Sequence, residues 1–339
     1  MTDLVVGVDV GQATLVPALW ANGQAVRLDD CTNTPEGFQV LAAQLEEAQQ
    51  TYGSTAIHLI VEPTGGYELA LASFALQQGW SVSRPNPAQV REWARGRGYR
   101  AKTDRVDGRM LAHYGAEVHP VRWQPLPAEL SELELLLRRK EDLEQLLRQE
   151  RNRQHALTQR PGVPEAVGRS LERVIGALQQ ELAELEQTIK QHLKQHAELR
   201  TAAKRLQSVP GIGAKNVLWV LVLLERWRTL TDGQGEAKGL VAYAGLDPQP
   251  YQSGSSVHKR ASISRMGNRS MRRRLFLGAL GGVRGQNVLR AFYRRLVGRG
   301  KPKKAALIAA ARKILVWAWA VFRDHTTFDP AKVTRELAV

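Results

Sequence analysis

The chain has little cysteine, no long uncharged apolar run and, over one stretch, no acidic residue. Cys31 is the only cysteine, which excludes a disulfide scaffold and a thiolate-rich zinc site and is typical of a reducing cytosol. The first ten residues lack a basic region before their apolar run and include Asp3 and Asp9, so we expect no secretory signal. Every apolar stretch of about 18 residues contains charges, so no membrane-spanning helix is expected. These absences predict a soluble, cytoplasmic protein without a membrane partner.

Acidic residues are missing from residues 248–323, a block that holds 18 Lys and Arg. The 339-residue chain carries 48 basic and 33 acidic residues, a net charge of +15, so the other 263 residues are close to neutral. Because no acid inside the block can neutralise its cations, the block favours a polyanionic partner, most often a nucleic acid. The alternative is a solvated basic face with no partner.

The first 84 residues predict a mixed α/β sheet. Apolar runs rich in β-branched residues are typical of buried strands, and Asn22-Gly23 is a hairpin turn signal. Thr34 and Pro35 mark a helix start. The predicted strands are residues 4–10, 15–20, 24–28, 56–61 and 81–84, and the predicted helices are residues 35–50 and 67–78.

Long helices are predicted from about residue 130 to 206, interrupted by the prolines at 161 and 164. Apolar residues from Leu171 to Ile189 are spaced by four and three residues, which is a heptad seam. We interpret this region as an antiparallel helical hairpin or an interrupted coiled coil that spaces domains or mediates assembly. Turns rich in glycine and proline follow at 230–254, and basic helices are predicted from there to residue 322.

Four acids occupy positions suited to metal binding. Asp9 lies in a buried strand, where an ionised carboxylate is costly unless it is paired or binds a metal. Glu62 ends the second apolar strand, and Asp104 and Asp107 share one face at a predicted helix start. Such oxygen ligands suit two Mg²⁺ ions, which can clamp a phosphodiester. Each acid also has a structural alternative, such as a strand edge for Asp9 or a helix cap for Asp104.

Basic residues cluster beside the acid pair and again in the last third of the chain. The segment SVPGIGAKNV resembles a helix-hairpin-helix element, whose backbone N–H groups can hold a phosphate, although a plain turn between helices is the alternative. The phosphate contacts predicted here are Arg95, Arg97, Arg100, Lys102, Arg105, Gly211, Gly213 and Lys215.

Three segments, VVGVDVG, IVEPTGGYE and NPAQVREWARGRGYRAKTDRVDGRMLA, resemble the DEDD motifs of a group of insertion-sequence transposases. These are relatives of the Piv-type DNA invertases and of bridge-RNA-guided recombinases. The resemblance implies an RNase H-like N-terminal domain, close to the RuvC resolvase, with a Mg²⁺-binding tetrad. Gly108 stands where the family more usually has alanine. The implied metal ligands are Asp9, Glu62, Asp104 and Asp107.

The segment AYAGLDPQPYQSGSSVHKRASISRMGNRSMRRRLF resembles the same family's C-terminal transposase domain. There a Ser-Gly pair precedes a basic stretch, which implies that Ser253 attacks DNA and forms a covalent phosphoserine. The residues alone do not select Ser253 over its neighbouring serines, and His258 is the only nearby candidate base. The predicted nucleic-acid contacts are Lys259, Arg260, Arg265, Asn268, Arg272, Arg273 and Arg274.

The sequence therefore predicts three parts: a RuvC-like domain (1–125), a coiled-coil assembly region (126–207) and a mainly helical transposase domain (208–339). The resemblance implies a nucleoid-associated bacterial recombinase that exchanges strands between donor and target double-stranded DNA. It also implies a homodimer or tetramer, guided in many relatives by a structured bridge RNA. One alternative is a two-metal RuvC-like endonuclease that uses water, with Ser253 structural. Another is a non-catalytic nucleic-acid-binding protein.

Overall fold

A computed structural model of the chain describes residues 3–99, 104–253 and 257–333, with side chains for all of these except 104–106 and 250–261. The chain forms two compact units, Met1–Gln124 and Pro125–Val339. The helical segment 126–207 and the C-terminal region 208–339, which the sequence suggests as separate domains, both fall in the second unit.

The first unit is built on a mixed sheet. The elements are β1 (Leu4–Val10), β2 (Thr14–Ala21), β3 (Gln24–Arg27), β4 (Cys31–Thr32), α1 (Pro35–Tyr52), β5 (Ile57–Val61), α2 (Glu68–Gln77), β6 (Ser81–Ser83), α3 (Pro87–Gly96) and α4 (Asp104–Val118). The strands follow the order β3-β2-β1-β5-β6, in which β1, β2 and β3 are antiparallel neighbours and β5 and β6 run parallel to β1. The predicted α/β class and RNase H-like arrangement are confirmed.

Local signals account for most element ends in this unit. Asn22 and Gly23 both have positive φ (52° and 78°) and link β2 to β3 in a two-residue turn, as predicted. Thr34 caps α1 by accepting a hydrogen bond from the Gly37 N–H at 3.3 Å. Helix α3 is not among the predicted elements, although Asn86 caps it through the Ala88 N–H and Pro87 is its first residue.

The two faces of the sheet carry separate apolar cores. Val6 and Val8 face a core shared with α1 and α2, whereas Val5 and Ile60 face a second core shared with α3 and α4. This alternation is the period of two that a strand imposes on its side chains. The second core lies under α4, the helix that carries two of the predicted acids.

The second unit begins with a long antiparallel helical hairpin. Lys140 pairs with Glu186 at 2.7 Å, and the His192 Nε2 atom lies 2.8 Å from the Glu129 carbonyl oxygen, so the two helices run in opposite directions. Ile189 is buried, whereas most leucines of the heptad seam are only half-buried. The elements are α5 (Ala128–Thr158), α6 (Glu165–Gln195), α7 (Ala197–Leu206), α8 (Val217–Leu230), α9 (Ala237–Tyr243), β7 (Pro248–Ser253), β8 (Val257–Ile263), α10 (Arg269–Gly282), α11 (Val288–Gly298) and α12 (Lys303–Arg323).

Helix α12 is the apolar centre of this unit. It is long and apolar enough to cross a membrane by length and composition, and it is mostly buried inside the unit, as the core helix of a folded domain is. The base of the hairpin, including Leu130 and Leu133, shares this core, so hairpin and C-terminal helices fold together. The prediction of turns and helices alone between residues 230 and 268 is wrong, because β7 and β8 pair there as an antiparallel hairpin.

Candidate active site and nucleic-acid-binding surface

Asp9 and Glu62 lie at the carboxyl ends of two adjacent parallel strands. The last matched residues of β1 and β5 are Val8 and Val61. Asp9 and Glu62 each follow directly, so their backbones are neighbours at the same edge of the sheet. Asp9 is half-buried, and 18% of the Glu62 side chain is exposed. Loops beyond the carboxyl ends of parallel strands are where α/β proteins bind ligands.

Glycines allow the backbone of α4 to lie directly on β1 and β2. A Cβ atom on Gly7 would lie 2.2 Å from the Ala112 nitrogen, and one on Gly108 would lie 2.5 Å from the Val16 carbonyl oxygen. Both distances are far below ordinary van der Waals contact, and both partners are backbone atoms. Gly108 is therefore needed for the packing of this chain.

The direction of α4 brings its first turn towards Asp9. Gly108 packs at the level of Gly7, and Gly115, seven residues later, packs on the Val5 and Ile60 side chains. The helix therefore runs antiparallel to β1. An α-helix rises about 1.5 Å per residue, so the backbone one turn before Gly108 lies about 6 Å beyond it along the helix axis. Strand β1 advances by roughly the same distance from Gly7 to Asp9.

The backbones of the four predicted acids thus gather at one end of the first unit. Asp107 is half-buried on α4, and the backbone of Asp104 forms the first residue of that helix, whereas its side chain lies outside the described residues. Among the described side chains, no three His, Cys, Asp or Glu residues form a group that could hold a metal ion. The donor chemistry of the set, carboxylate oxygen only, fits a hard divalent cation such as Mg²⁺.

Helix α3 supplies basic side chains next to this edge. Arg91 pairs with Glu62 at 3.4 Å. Arg95 is exposed, as predicted for a phosphate contact, whereas Arg97 pairs with Glu117 of α4. The other predicted contacts of this stretch, Arg100, Lys102 and the side chain of Arg105, lie outside the described residues.

The structure shows a buried carboxylate, Glu68, that was not predicted from the sequence. Glu68, the first residue of α2, is fully buried, accepts hydrogen bonds from the Thr64 and Gly66 backbone N–H groups, and pairs with Arg84. Burial by itself raises the pKa of the Glu68 carboxyl, but the backbone N–H groups of Glu68 itself and Thr64, together with Arg84, outweigh it and leave the pKa below its ordinary value. The only sequence signal was an acid two residues after the Gly65-Gly66 pair, at the start of an apolar helix.

Ser253 is the last residue of β7 and pairs with Val257 of β8. Its side chain and residues 254–256 lie outside the described part of the chain, as do the side chains of Lys259 and Arg260 in β8. The base of the hairpin is held by Ser264, whose hydroxyl donates to the Asp247 carboxylate and whose N–H donates to the Asp247 carbonyl oxygen at 3.0 Å. These two hydrogen bonds therefore fix the end of the β7–β8 hairpin that is opposite Ser253.

The three consecutive arginines of α10 have different environments. Arg272 donates to the Gly267 carbonyl oxygen at 2.6 Å, which ties the end of the β7–β8 region to the helix. Arg274 pairs with Glu141 of α5 at 3.0 Å and lies over the Trp219 ring. Arg273 is exposed. Of these three predicted contacts, Arg273 is the one whose side chain faces solvent.

Two other predicted contacts stand at the start of α10. Asn268 caps this helix by accepting a hydrogen bond from the Met271 N–H at 3.1 Å, so it has a structural task of its own. Arg265 is exposed and has a φ of +59°, an uncommon backbone conformation for a residue with a side chain.

The PGIG turn before α8 is packed into the unit on one side. Gly211 has a φ of +95° and lies so close to α10 and α12 that a Cβ atom there would be 2.4 Å from Ile314. The Gly213 N–H already donates to the Asn216 side chain at 2.8 Å. Gly213 and Lys215 are exposed, so the outer side of the turn is the part that a phosphate could reach.

A short basic turn joins α11 to α12. Residues 298–304, named here the basic turn, are all exposed, and its cations have no ion-pair partner among the described residues. Gly300 ends α11 with a φ of +82°, and the Lys301 N–H donates to the Leu296 carbonyl oxygen, so the backbone of the turn is well defined. Its cations are Arg299, Lys301, Lys303 and Lys304.

Comparisons with known proteins agree with these observations. A DEDD-type IS110 transposase family model matches residues 6–160, and a model described as transposase of the IS116/IS110/IS902 family matches residues 203–294. Pilin gene-inverting proteins of Moraxella bovis and Moraxella lacunata are 33% and 32% identical to the chain, over 97% of it and 98% of each relative. An insertion element IS110 protein of Streptomyces coelicolor is 34% identical over 37% of this chain and 29% of its own length. The chain belongs to the IS110 family of transposases and is an enzyme of DNA recombination.

Proposed function

We propose that the chain cleaves and exchanges DNA strands in a Mg²⁺-dependent reaction that passes through a covalent link between Ser253 and DNA. The observation that carries the metal part is the glycine-mediated packing of α4, which directs its first turn towards Asp9 and Glu62. Asp104 and Asp107 complete the proposed ligand set. Mg²⁺, when bound, would stabilise negative charge on the phosphodiester as a Lewis acid.

The chain's own residues bind and orient the DNA in this proposal. Arg95 of α3 contacts phosphates beside the acids, and the exposed Arg273 and the basic turn contact phosphates in the second unit. Arg272 and Arg274 already have partners inside the protein. Arg272 holds the end of the β7–β8 region to α10, and Arg274 holds α10 to α5. Cations without an internal anion are the ones that gain most from a phosphate backbone.

The proposed covalent step is a transesterification. The Ser253 Oγ atom attacks a backbone phosphorus, the bond from phosphorus to one sugar oxygen breaks, and the serine proton ends on the departing hydroxyl. That hydroxyl can later attack a phosphoserine link on a partner strand and release the serine. Because the number of phosphoester bonds is unchanged, strand exchange needs no ATP, and the sequence contains no ATPase-type phosphate-binding loop.

A denaturing gel tests this step. Wild-type protein incubated with cognate DNA and Mg²⁺ is expected to yield a protein–DNA adduct, and Ser253→Ala is expected to yield none. Ser262→Ala, which changes an exposed serine on the neighbouring strand, is the matched control. An adduct of wild-type amount from Ser253→Ala would refute the serine mechanism, and cleavage without any adduct would favour a hydrolytic RuvC-like endonuclease.

The metal ligands are tested separately from the nucleophile. Asp9→Asn and Asp104→Asn are expected to abolish cleavage while DNA retention stays close to wild type. A binding protein without catalysis would gain nothing from acids beside phosphates, which repel them. Wild-type cleavage by either variant would refute the metal site.

We further propose that the enzyme works as a dimer or tetramer and that a structured RNA guides it. Exposed apolar side chains on α5 and α6 support assembly, since Leu135, Leu146 and Val174 are 67%, 42% and 43% exposed and a second copy could cover them. The Moraxella relatives are named for inverting a gene, an outcome that also joins two DNA sites. Light scattering and sequencing of the co-purifying nucleic acid test these points: a monomer, or random fragments, would contradict them.

A further inference from the structure

We infer that Glu68 and Arg84 form a positioning pair that holds the loop after β5 and thereby places the Glu62 carboxylate for ion binding. This inference rests on the proposed metal site. Glu68 touches none of the reacting groups, so its part is indirect. Among the described side chains of the first unit, Glu68 is the one fully buried carboxylate, and its partner Arg84 directly follows β6.

The hydrogen bonds of Glu68 go to the loop upstream of it. One carboxylate oxygen accepts from the Thr64 N–H at 3.1 Å and from the Gly66 N–H at 3.0 Å, and the Thr64 hydroxyl lies 3.4 Å away. Thr64 and Gly66 both precede α2, so these two bonds tie the carboxylate to the loop that follows Glu62. The bonds of Glu68 therefore shape the segment between Glu62 and α2.

This restraint reaches Glu62 through a single stiff residue. Only Pro63 separates Glu62 from Thr64, and the proline ring fixes its own φ, so an anchored Thr64 limits where the Glu62 backbone can move. The far end of the loop is anchored as well. The Asn33 side chain donates both to the Tyr67 carbonyl oxygen at 3.2 Å and to the Gly11 carbonyl oxygen, just after β1, at 2.9 Å.

Arg84 extends the same network to the third parallel strand. It follows β6, its guanidinium pairs with the other oxygen of Glu68 and lies over the Trp123 ring, 5.0 Å from the ring centre. Asn33, Glu68 and Arg84 thus connect the carboxyl ends of β1, β5 and β6. These are the strand ends at which Asp9 and Glu62 stand.

A buried ion pair is a poor device for stability alone. Removing two charges from water costs free energy that an apolar pair of similar volume avoids, and the Nε atom of Arg84 is buried without a hydrogen-bond partner among the described residues. A carboxylate, unlike an apolar side chain, accepts hydrogen bonds from two backbone N–H groups at fixed positions. Positioning the loop after β5 requires such an acceptor.

The test measures Mn²⁺ affinity of the full-length, metal-free protein by calorimetry, without DNA. Only the binding that Asp9→Asn removes is counted. Glu68→Gln keeps one acceptor oxygen but turns an NH₂ donor towards either Arg84 or the two backbone N–H groups, so it cannot serve both sides. It is therefore expected to weaken this binding about tenfold or more, as loss of a residue that orients a metal ligand typically does, and to raise the Mg²⁺ concentration for half-maximal cleavage in parallel. The matched control is Glu134→Gln, which breaks a buried pair with Arg226 in the second unit and is expected to leave Mn²⁺ affinity unchanged.

A second variant separates positioning from folding. Glu68→Leu combined with Arg84→Met removes both charges together, so it leaves no uncompensated charge and is expected to fold, yet it lacks the acceptor and is expected to lose Mn²⁺ affinity. Wild-type Mn²⁺ affinity in folded Glu68→Gln, or in the double variant, would overturn the inference. If Asp9→Asn binds Mn²⁺ as wild type does, the proposed metal site itself fails.

Discussion

Replacing Gly7 with alanine would test whether the close contact between β1 and α4 sets the position of the acids. The new Cβ atom would meet the Ala112 nitrogen at 2.2 Å and the Gly108 carbonyl oxygen at 2.3 Å. Ordinary contact begins near 3.4 Å, and both partners are backbone atoms of a helix that cannot rotate away. The helix must therefore move off the strand by about 1 Å, because a close-packed interior cannot absorb the overlap.

This displacement has two expected costs. Overpacking of a well-packed core costs about 1–3 kcal/mol of stability. A misplacement of about 1 Å in a catalytic constellation costs roughly 100-fold in rate. Because α4 carries Asp107, and its first turn carries Asp104, Gly7→Ala is expected to lower both the free energy of unfolding and the rate of Mg²⁺-dependent cleavage.

Urea denaturation and a DNA cleavage assay measure the two effects side by side. Gly176→Ala in α6 is the control, because no atom outside its own stretch of helix backbone lies within 4 Å of its added Cβ. There the same substitution is expected to stabilise the helix by about 0.5–1 kcal/mol and to leave cleavage unchanged. Wild-type stability and wild-type cleavage in Gly7→Ala would refute the packing argument.

Three further outcomes are expected. Burial lowers the pKa of His58 in the folded protein below its ordinary 6.5. The free energy of unfolding is therefore expected to fall as the pH drops from 6.5 towards the folded-state pKa, by at most about 1.4 kcal/mol per pH unit. Urea melts of wild type and His58→Gln from pH 7.5 to 5.5 check this, and a stability difference between them that does not change with pH would contradict it. Asn268→Ala should cost about 1 kcal/mol by removing the cap of α10, and Asn268→Asp should retain it; equal unfolding midpoints for the two variants would argue against the cap. Changing the four cations of the basic turn to glutamine should reduce the slope of log affinity against log salt for DNA by up to about 3.6, and an unchanged slope would exclude the turn from the interface.

Much of the first unit could be predicted because its signals are local. Apolar β-branched runs, the Asn22-Gly23 turn and the Thr34 cap each act within a few residues, and the structure confirms the elements that they mark. The β7–β8 hairpin was missed because residues 248–253 include two prolines and little apolar alternation, so their strand character comes from pairing with β8.

Sequence alone determined which chemistry is present: the four acids, the acid-free basic block and the family motifs are all readable from residue type and spacing. Only the tertiary structure decided which of those groups remain available. Arg273 faces solvent, whereas Arg274 is paired with Glu141 of α5. The backbone of β2 requires Gly108, and Glu68 of α2 pairs with Arg84, which follows β6. These distinctions depend on partners far apart in the chain, and neither composition nor periodicity specifies which distant groups a fold will bring within hydrogen-bonding or van der Waals distance.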